Sequence, residues 1–145
     1  MLKTQADQVI SNKQVMHIFV DLFESGDWDG FDQVIASDCV LHYPSGIDVV
    51  GLDAMKAGWK VHFGSMQDMS VTPVAEICEG DLLMEFYAFT ANYTGEYLGQ
   101  QVSELPIKYN QVEIVRVENE KIVEWWVEMD RLWMAEQLGF SLEKK

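Results

Sequence analysis

Hydrophobic side chains recur every three or four residues in the first part of the chain, and this spacing predicts helices. Thr4 and Asp7 have the spacing of a capping box, and the apolar positions that follow keep a helical period until Ser25 and Gly26. The sequence therefore predicts an amphipathic first helix. A short second helix is expected at 31–36, and a third at about 52–63.

The pattern changes to strand-like runs from Met69 onward. The predicted strands are 71–79, 82–93, about 107–117 and 121–129, and a shorter strand at 39–43 precedes them. Asp130 and Gly139 have the positions of an N-cap and a glycine stop around a terminal helix at 131–138. Helices followed by successive antiparallel strands indicate an α+β fold, in which helices cover one face of a sheet.

Length and charge limit the classes of protein that remain. A chain of 145 residues has room for one domain, so 1–145 is expected to fold as a single unit. The net charge of −14 repels phosphate backbones and anionic lipids, and no apolar run approaches the ~20 residues of a membrane span. We therefore expect neither nucleic acid nor a membrane as a partner. The first eight residues lack the apolar stretch of a secretory signal, so the expected location is cytoplasmic.

The sequence contains none of the common motifs for metals, nucleotides or serine hydrolysis. His17, His42 and His62 are scattered without a second ligand at metal-binding spacing. Neither a glycine-rich phosphate loop nor a Gly-x-Ser-x-Gly elbow is present. Cys39 and Cys78 lie among apolar neighbours and are expected to be reduced thiols. These observations predict a protein without a metal or another cofactor.

Two adjacent tryptophans indicate that both faces of the sheet are apolar. Trp125 and Trp126 must point to opposite faces, because side chains alternate along a strand. A helix layer can cover only one face, so the other is expected to meet a second subunit in a homodimer. The alternative is that these residues are scattered surface hydrophobes, which any protein surface contains.

Several short motifs occur in the order found in the SnoaL-like polyketide cyclases. They are His42-Tyr43-Pro44, Gly51-Leu52, Glu79-Gly80-Asp81, Thr94 to Gly99, Arg116, Lys121 to Trp126, and Asp130 to Gly139. The chain thus resembles that family over nearly its whole length. The resemblance implies the cone-shaped, nuclear transport factor 2-like fold, in which N-terminal helices pack against a curved, mainly antiparallel sheet around a deep apolar pocket. It also implies dimers, a small hydrophobic carbonyl or ester ligand, and proton transfer by a carboxylic acid without metal or coenzyme.

The chain departs from this family at the position of the proposed acid. Relatives commonly have Asp or Asn after the tryptophan of the last strand, and in the cyclases the Asp is the proposed acid, whereas this chain has Val127. The best relocated acid is Glu113 in the partner strand, two residues after the polar Gln111. A bulge at the intervening turn would place Glu113 opposite Val127 and inside the pocket. A two-residue turn would place it opposite Trp126 on the other face.

Two further residues are candidates for proton transfer. His42 is the second catalytic candidate, and its alternative role is that of a histidine hydrogen-bonded to the backbone beside Pro44. Glu85 interrupts an apolar run, and it is either a third buried acid or a glutamate at the dimer face or in solvent. The remaining candidates for ligand contact, for which core packing is the alternative, are Gln111, Val127, Trp125, Tyr93, Trp59, Phe63 and Met66.

These features support more than one function. The first hypothesis is a cofactor-independent cyclase, isomerase or lyase that acts on a hydrophobic carbonyl or ester compound, with Glu113 and His42 moving protons. The second is a hydrophobic-ligand-binding protein in which Val127 marks the loss of the family acid. The third is a dimeric scaffold whose cavity is filled by side chains.

Overall fold

The chain begins with a long helix, α1 (Gln5–Ser25), in a computed structural model that describes residues 4–143. The predicted capping box is present: the Thr4 side chain accepts a hydrogen bond from the Asp7 backbone N–H, and the Asp7 carboxylate accepts one from the Thr4 backbone N–H. Gly26 ends the helix with a φ of 72°, a conformation that glycine adopts without steric cost. The predicted first helix is therefore confirmed at both ends.

The segment after α1 differs from the prediction. A 3₁₀-helix covers Asp29–Gln33, and strand β1 (Ile35–His42) begins where the predicted helix at 31–36 would have continued. The helix prediction was wrong because Ile35 pairs with Ile122, a contact between distant parts of the chain. A short strand that the sequence did not predict, β2 (Asp48–Val50), precedes helix α2 (Leu52–Gly64).

The remaining elements follow the predicted order. They are β3 (Met66–Glu79), β4 (Leu82–Tyr97), β5 (Gln100–Glu118), β6 (Lys121–Met129) and α3 (Arg131–Gln137). The sheet has the strand order β2-β1-β6-β5-β4-β3, and every neighbouring pair is antiparallel except β1 with β6. Asp130 caps α3 by accepting a hydrogen bond of 2.8 Å from the Trp133 N–H. The predicted α+β class is confirmed.

The turn between β5 and β6 and a bulge after it set the register of these strands. The turn has two residues, Asn119 and Glu120, and both have positive φ. Glu118 therefore pairs with Lys121, but the pairing shifts by one residue beyond Ile122, which leaves Val123 as the extra residue of a bulge. Glu113 consequently lies opposite Val127. The bulge lies inside β6 and not in the turn, but it selects the register that turns Glu113 toward the helices.

Helices α1 and α2 cover the inner face of the sheet with an aromatic core. Phe19 of α1 lies edge-on to Trp125 of β6, with ring centroids 4.8 Å apart, and Trp59 of α2 lies 5.5 Å from Trp125. The outer face carries partly exposed apolar side chains, including Trp126, which stacks on the His42 ring. The homodimer on this face stays a prediction. Within residues 4–143, no helix is both long and apolar enough to cross a membrane.

Candidate functional site

A mostly aromatic cavity lies between the two helices and the inner face of the sheet. Its volume of about 60 Å³ is several times the space that one water molecule needs. Its apolar walls are formed by Phe19, Val20, Phe23, Trp59, Phe63, Val71, Phe89, Trp125, Val127 and Met129. Its polar lining consists of Glu24, Tyr43, His62, Tyr87, Gln111 and Glu113. The cavity thus combines a hydrophobic enclosure with a small set of chemically active groups.

Glu113 is the central acid of this cavity. Its side chain points inward from β5, and the residue is only 8% exposed. Burial raises the pKa of Glu113 to about 7, because the apolar surroundings disfavour the carboxylate. A hydrogen bond donated by the Gln111 amide and the nearby Trp125 indole act in the opposite direction, while the charge of Glu85 raises the pKa further. Glu113 can therefore gain or lose a proton near neutral pH.

Unpartnered polar atoms are concentrated in the same cavity. Among residues 4–143, five buried side-chain atoms have no hydrogen-bond partner in the protein, and all five belong to residues that line it. They are His62 Nε2, Tyr87 Oη, Gln111 Oε1, Glu113 Oε2 and Trp125 Nε1. Buried polar atoms in native proteins are rarely left unpaired. Their clustering indicates a site made to hold the polar groups of a ligand.

The neutral polar groups of the cavity supply hydrogen-bond donors. Burial raises the pKa of the Tyr87 and Tyr43 phenols above the ordinary value, so both keep their protons at neutral pH. Burial also lowers the pKa of His62, which favours the uncharged imidazole. The Tyr87 O–H and the Trp125 N–H are thus two unpaired donors in the cavity that contains Glu113.

Six of the predicted site residues meet in this cavity. They are Glu113, Gln111, Val127, Trp125, Trp59 and Phe63. Val127 faces Glu113 across the β5–β6 pair, so the position at which the family resemblance implies an acid is inside the site but apolar. A buried carboxyl group, that of Glu113, lies on the neighbouring strand.

Three other predicted residues do not line the cavity. His42 lies at the end of β1 and stacks on Trp126 at the outer face. Its two ring nitrogens lie 2.7 Å from Asp48 Oδ1 and 3.1 Å from Glu124 Oε1, and these interactions raise the pKa of His42. The parallel pairing of β1 with β6 places His42 beside Trp126 and so directs it away from Glu113. The structure therefore does not bring His42 into the cavity that contains Glu113.

Tyr93 and Met66 are core residues outside the cavity. The Tyr93 hydroxyl donates to the Glu96 carbonyl over 3.0 Å, and the Met66 sulfur accepts from the Tyr109 hydroxyl over 3.7 Å. Both side chains are buried, and their polar atoms are already used within the protein. The structure therefore does not bring these two predicted residues into the cavity.

The sequence analysis missed several polar cavity residues. Tyr87 lies opposite Gln111 on the next strand and therefore shares the inner face. This position could have been found from the period of two that also places Glu85 inward. His62 lies one turn after Trp59 on α2, at a spacing that puts both on one helix face. Tyr43 follows β1 directly, and no local pattern predicts its inward position.

A group with possible metal-ligand geometry lies at the edge of the site. Atoms of His17, Glu76 and Glu85 lie within 4.8 Å of one another. Lys13 Nζ, however, lies 2.9 Å from Glu76 Oε1 and already supplies a positive charge there. Because these residues come from different elements, their grouping could not be predicted from spacing along the chain.

A helix-covered, mainly antiparallel sheet around an apolar cavity that contains a buried carboxyl group defines a small-molecule pocket protein of the cone-shaped α+β class. The sequence model of the SnoaL-like polyketide cyclases matches residues 13–138, and the chain belongs to this family. No curated protein matches the chain.

Solved structures share the fold at low sequence identity. IdmH from Streptomyces antibioticus is 23% identical with a TM-score of 0.78, and the match covers 89% of this chain and 99% of that protein. The SnoaL-like protein of Jannaschia Sp. CCS1 is 16% identical with a TM-score of 0.84, covering 97% and 100%. AclR from Streptomyces galilaeus is 20% identical with a TM-score of 0.79, covering 90% and 97%.

Proposed function

We propose that the protein is a cofactor-independent enzyme that moves a proton at the carbon next to a carbonyl group of a small hydrophobic compound. The single observation that carries this proposal is Glu113, a buried carboxyl group with one unpartnered oxygen in an apolar cavity. A carboxyl group with a pKa of about 7 can both accept and donate a proton near neutral pH. Membership of the cyclase family supports the same class of substrate.

The proposed step begins with ionised Glu113. Its carboxylate takes a proton from the carbon beside the carbonyl, the C–H electrons form a carbon–carbon double bond, and the carbonyl oxygen becomes an enolate. The unpaired donors on Tyr87 and Trp125 would stabilise that oxygen. If a second double bond is conjugated with the enolate, Glu113 returns the proton to the far carbon of the dienolate and the carbonyl re-forms, which is an isomerisation. If the enolate carbon instead attacks a second carbonyl of the same molecule, the oxygen of that carbonyl takes the proton from Glu113, which is a cyclisation.

Hydrogen exchange tests the proposal without knowledge of the natural substrate. Cyclohexanone in D₂O is a suitable probe because it is small, apolar and has protons beside its carbonyl. The protein is expected to accelerate the loss of these protons from the ¹H NMR spectrum. Glu113→Gln should reduce the acceleration by ~10²- to 10⁴-fold, the usual contribution of a positioned acid or base.

Glu128→Gln is the matched control, since it removes the same charge from an exposed position beside Val127. It is expected to leave exchange unchanged. Equal exchange by the wild-type protein and Glu113→Gln would refute the catalytic role of Glu113.

A second candidate function is binding of a hydrophobic ligand without turnover. Val127 favours it, because an apolar side chain occupies the position of the family acid inside the cavity. A binding protein would be stabilised by cyclic ketones, with an increase in Tm that depends on ligand concentration, but it would not exchange their protons. Thermal unfolding with and without cyclohexanone, measured beside the exchange assay, separates the two functions.

A further inference from the structure

Three glutamates form a row across the inner face of the sheet. Glu76 of β3 pairs with Glu85 of β4, and Glu85 pairs with Glu113 of β5. Directly paired residues of antiparallel strands have their Cβ atoms about 4.5–5.5 Å apart and share one face. The three carboxyl groups are therefore consecutive neighbours, one on each of three adjacent strands.

The row leads from the surface to the cavity. The Glu76 side chain is 21% exposed and forms ion pairs with Lys13 and His17 of α1, at 2.9 Å and 2.8 Å. Glu85 is 3% exposed and lies in the middle. Glu113 is the last of the three and lines the cavity. Glu85 thus joins the ion-paired Glu76 to Glu113, and a ring nitrogen of His17 lies within 4.8 Å of its carboxylate.

The charges around the inner two glutamates do not neutralise them. In the part of the chain that the structure describes, neither Glu85 nor Glu113 forms an ion pair with a lysine or an arginine. The titratable groups that face them are Lys13, His17 and Glu24 from α1, His62 from α2, Tyr43 after β1, Glu76 from β3 and Tyr87 from β4. From β5 and β6 they meet the phenol of Tyr109 and the uncharged Gln111 and Trp125.

Two adjacent buried carboxylates without a lysine or arginine partner cannot both be ionised cheaply. Burial raises the pKa of Glu85 to about 7, and its neighbour Glu76 adds to this rise, so Glu85 titrates in the same range as Glu113. Because Glu85 and Glu113 are direct cross-strand neighbours on one face, ionisation of one disfavours ionisation of the other.

We propose that Glu85 is a proton-positioning residue of the site: it shares one proton with Glu113 near neutral pH and passes it to Glu76 at the surface. Glu85 does not touch the ligand and acts through Glu113. This arrangement lets Glu113 exchange its proton with solvent while a ligand fills the cavity. The role in turnover rests on the proposed function, whereas the shared proton exists in the free protein and can be measured there.

Titration of the free protein tests the pair. Glutamate is labelled with ¹³C at the side-chain carboxyl, and the Glu113 and Glu85 signals are assigned from the variants Glu113→Gln and Glu85→Gln. In the wild-type protein, Glu113 is expected to titrate in two steps separated by more than about one pH unit. In Glu85→Gln it should titrate in one step with a lower midpoint, because the neighbouring charge is gone.

The reciprocal variant keeps the test decisive if Glu85→Gln does not fold. In Glu113→Gln, the Glu85 signal should likewise become a single step at lower pH. Glu85→Asp retains the charge and should restore the two steps of Glu113, while Glu128→Gln is the control that changes neither signal. A Glu113 midpoint that is the same with and without the Glu85 charge would overturn the proposal.

Two further measurements distinguish a shared proton from a bound metal ion and from a pair of glutamates with no part in turnover. Addition of EDTA should leave the wild-type titration unchanged, whereas a change would mean that a metal at His17, Glu76 and Glu85 sets the protonation and would overturn the proposal. If cyclohexanone exchange is observed, its pH midpoint should fall in Glu85→Gln, and an unchanged midpoint would overturn the role in proton supply. A two-step titration without any exchange would support the pair and refute only the proposed function.

Discussion

Replacement of Glu113 by glutamine is expected to stabilise the fold at alkaline pH. In the folded protein the pKa of Glu113 is about 7 instead of 4.5, so the native state binds a proton that the unfolded chain releases between these values. Stability from this group is fully present below pH 4.5 and is lost as the pH rises through about 7. Glutamine cannot ionise, and its oxygen can still accept the hydrogen bond from Gln111.

The magnitude follows from the same two pKa values. The difference corresponds to about 3 kcal/mol of unfolding free energy at pH 8. With a urea dependence of about 2 kcal/mol per molar, the variant should unfold at a urea concentration about 1.5 M higher than the wild-type protein. Near pH 4.5 the two proteins should unfold at similar urea concentrations, because Glu113 is then mostly protonated.

Urea unfolding followed by tryptophan fluorescence, at several pH values from 4.5 to 8, measures this effect. Glu128→Gln is again the control, because it removes the same charge from an exposed site. If Glu113→Gln stabilises the protein at pH 8 no more than the control does, Glu113 ionises freely and the burial argument is refuted.

Four further substitutions test other parts of the structure. Trp125→Phe removes an indole that lowers the pKa of Glu113, so the ¹³C titration midpoint of Glu113 should rise, and an unchanged midpoint would contradict this contact. His42→Gln should lower Tm at pH 5 but much less at pH 9, because the wild-type protein itself loses the ion pairs of protonated His42 as the pH rises through its raised pKa. Equal decreases in Tm at the two pH values would argue against these ion pairs. Asn12→Ala removes the hydrogen bond that the buried Asn12 amide donates to the Gly80 carbonyl and should cost about 1 kcal/mol in urea unfolding. Asp130→Ala removes the N-cap of α3 and should cost about 1 kcal/mol, whereas Asp130→Ser should restore most of it.

The sequence alone predicted those elements whose bounds depend on neighbouring residues. The capping box at Thr4, the glycine stop at Gly26 and the cap at Asp130 each depend on residues within one turn, and all three are confirmed. Strand β6 was predicted with its observed bounds, because Lys121–Met129 is rich in β-branched and aromatic residues and follows a polar turn.

The parts that could not be predicted depend on pairing between distant segments. The parallel pairing of β1 with β6 turned the segment after Gln33 into a strand and placed His42 outside the cavity. The inward position of Glu113 was one of two alternatives that the sequence left open. It depends on a bulge at Val123, and no residue type in this segment predicts a bulge. The row that joins Glu85 to Glu113 appears only when the register of three strands is known.

The bulge at Val123 means that the pairing of β6 matters as much as its composition. If Val123 stayed in the chain but paired with Arg116, every later residue of β6 would shift by one position and turn to the opposite face. Trp126 would then lie opposite Glu113, whereas deletion of Val123 would keep Glu113 opposite Val127 and Trp125 beneath α1. An alignment of relatives should therefore first decide whether β6 contains the extra residue of the bulge. An acid that is shifted by one position in the pairing lies on the opposite face of the sheet.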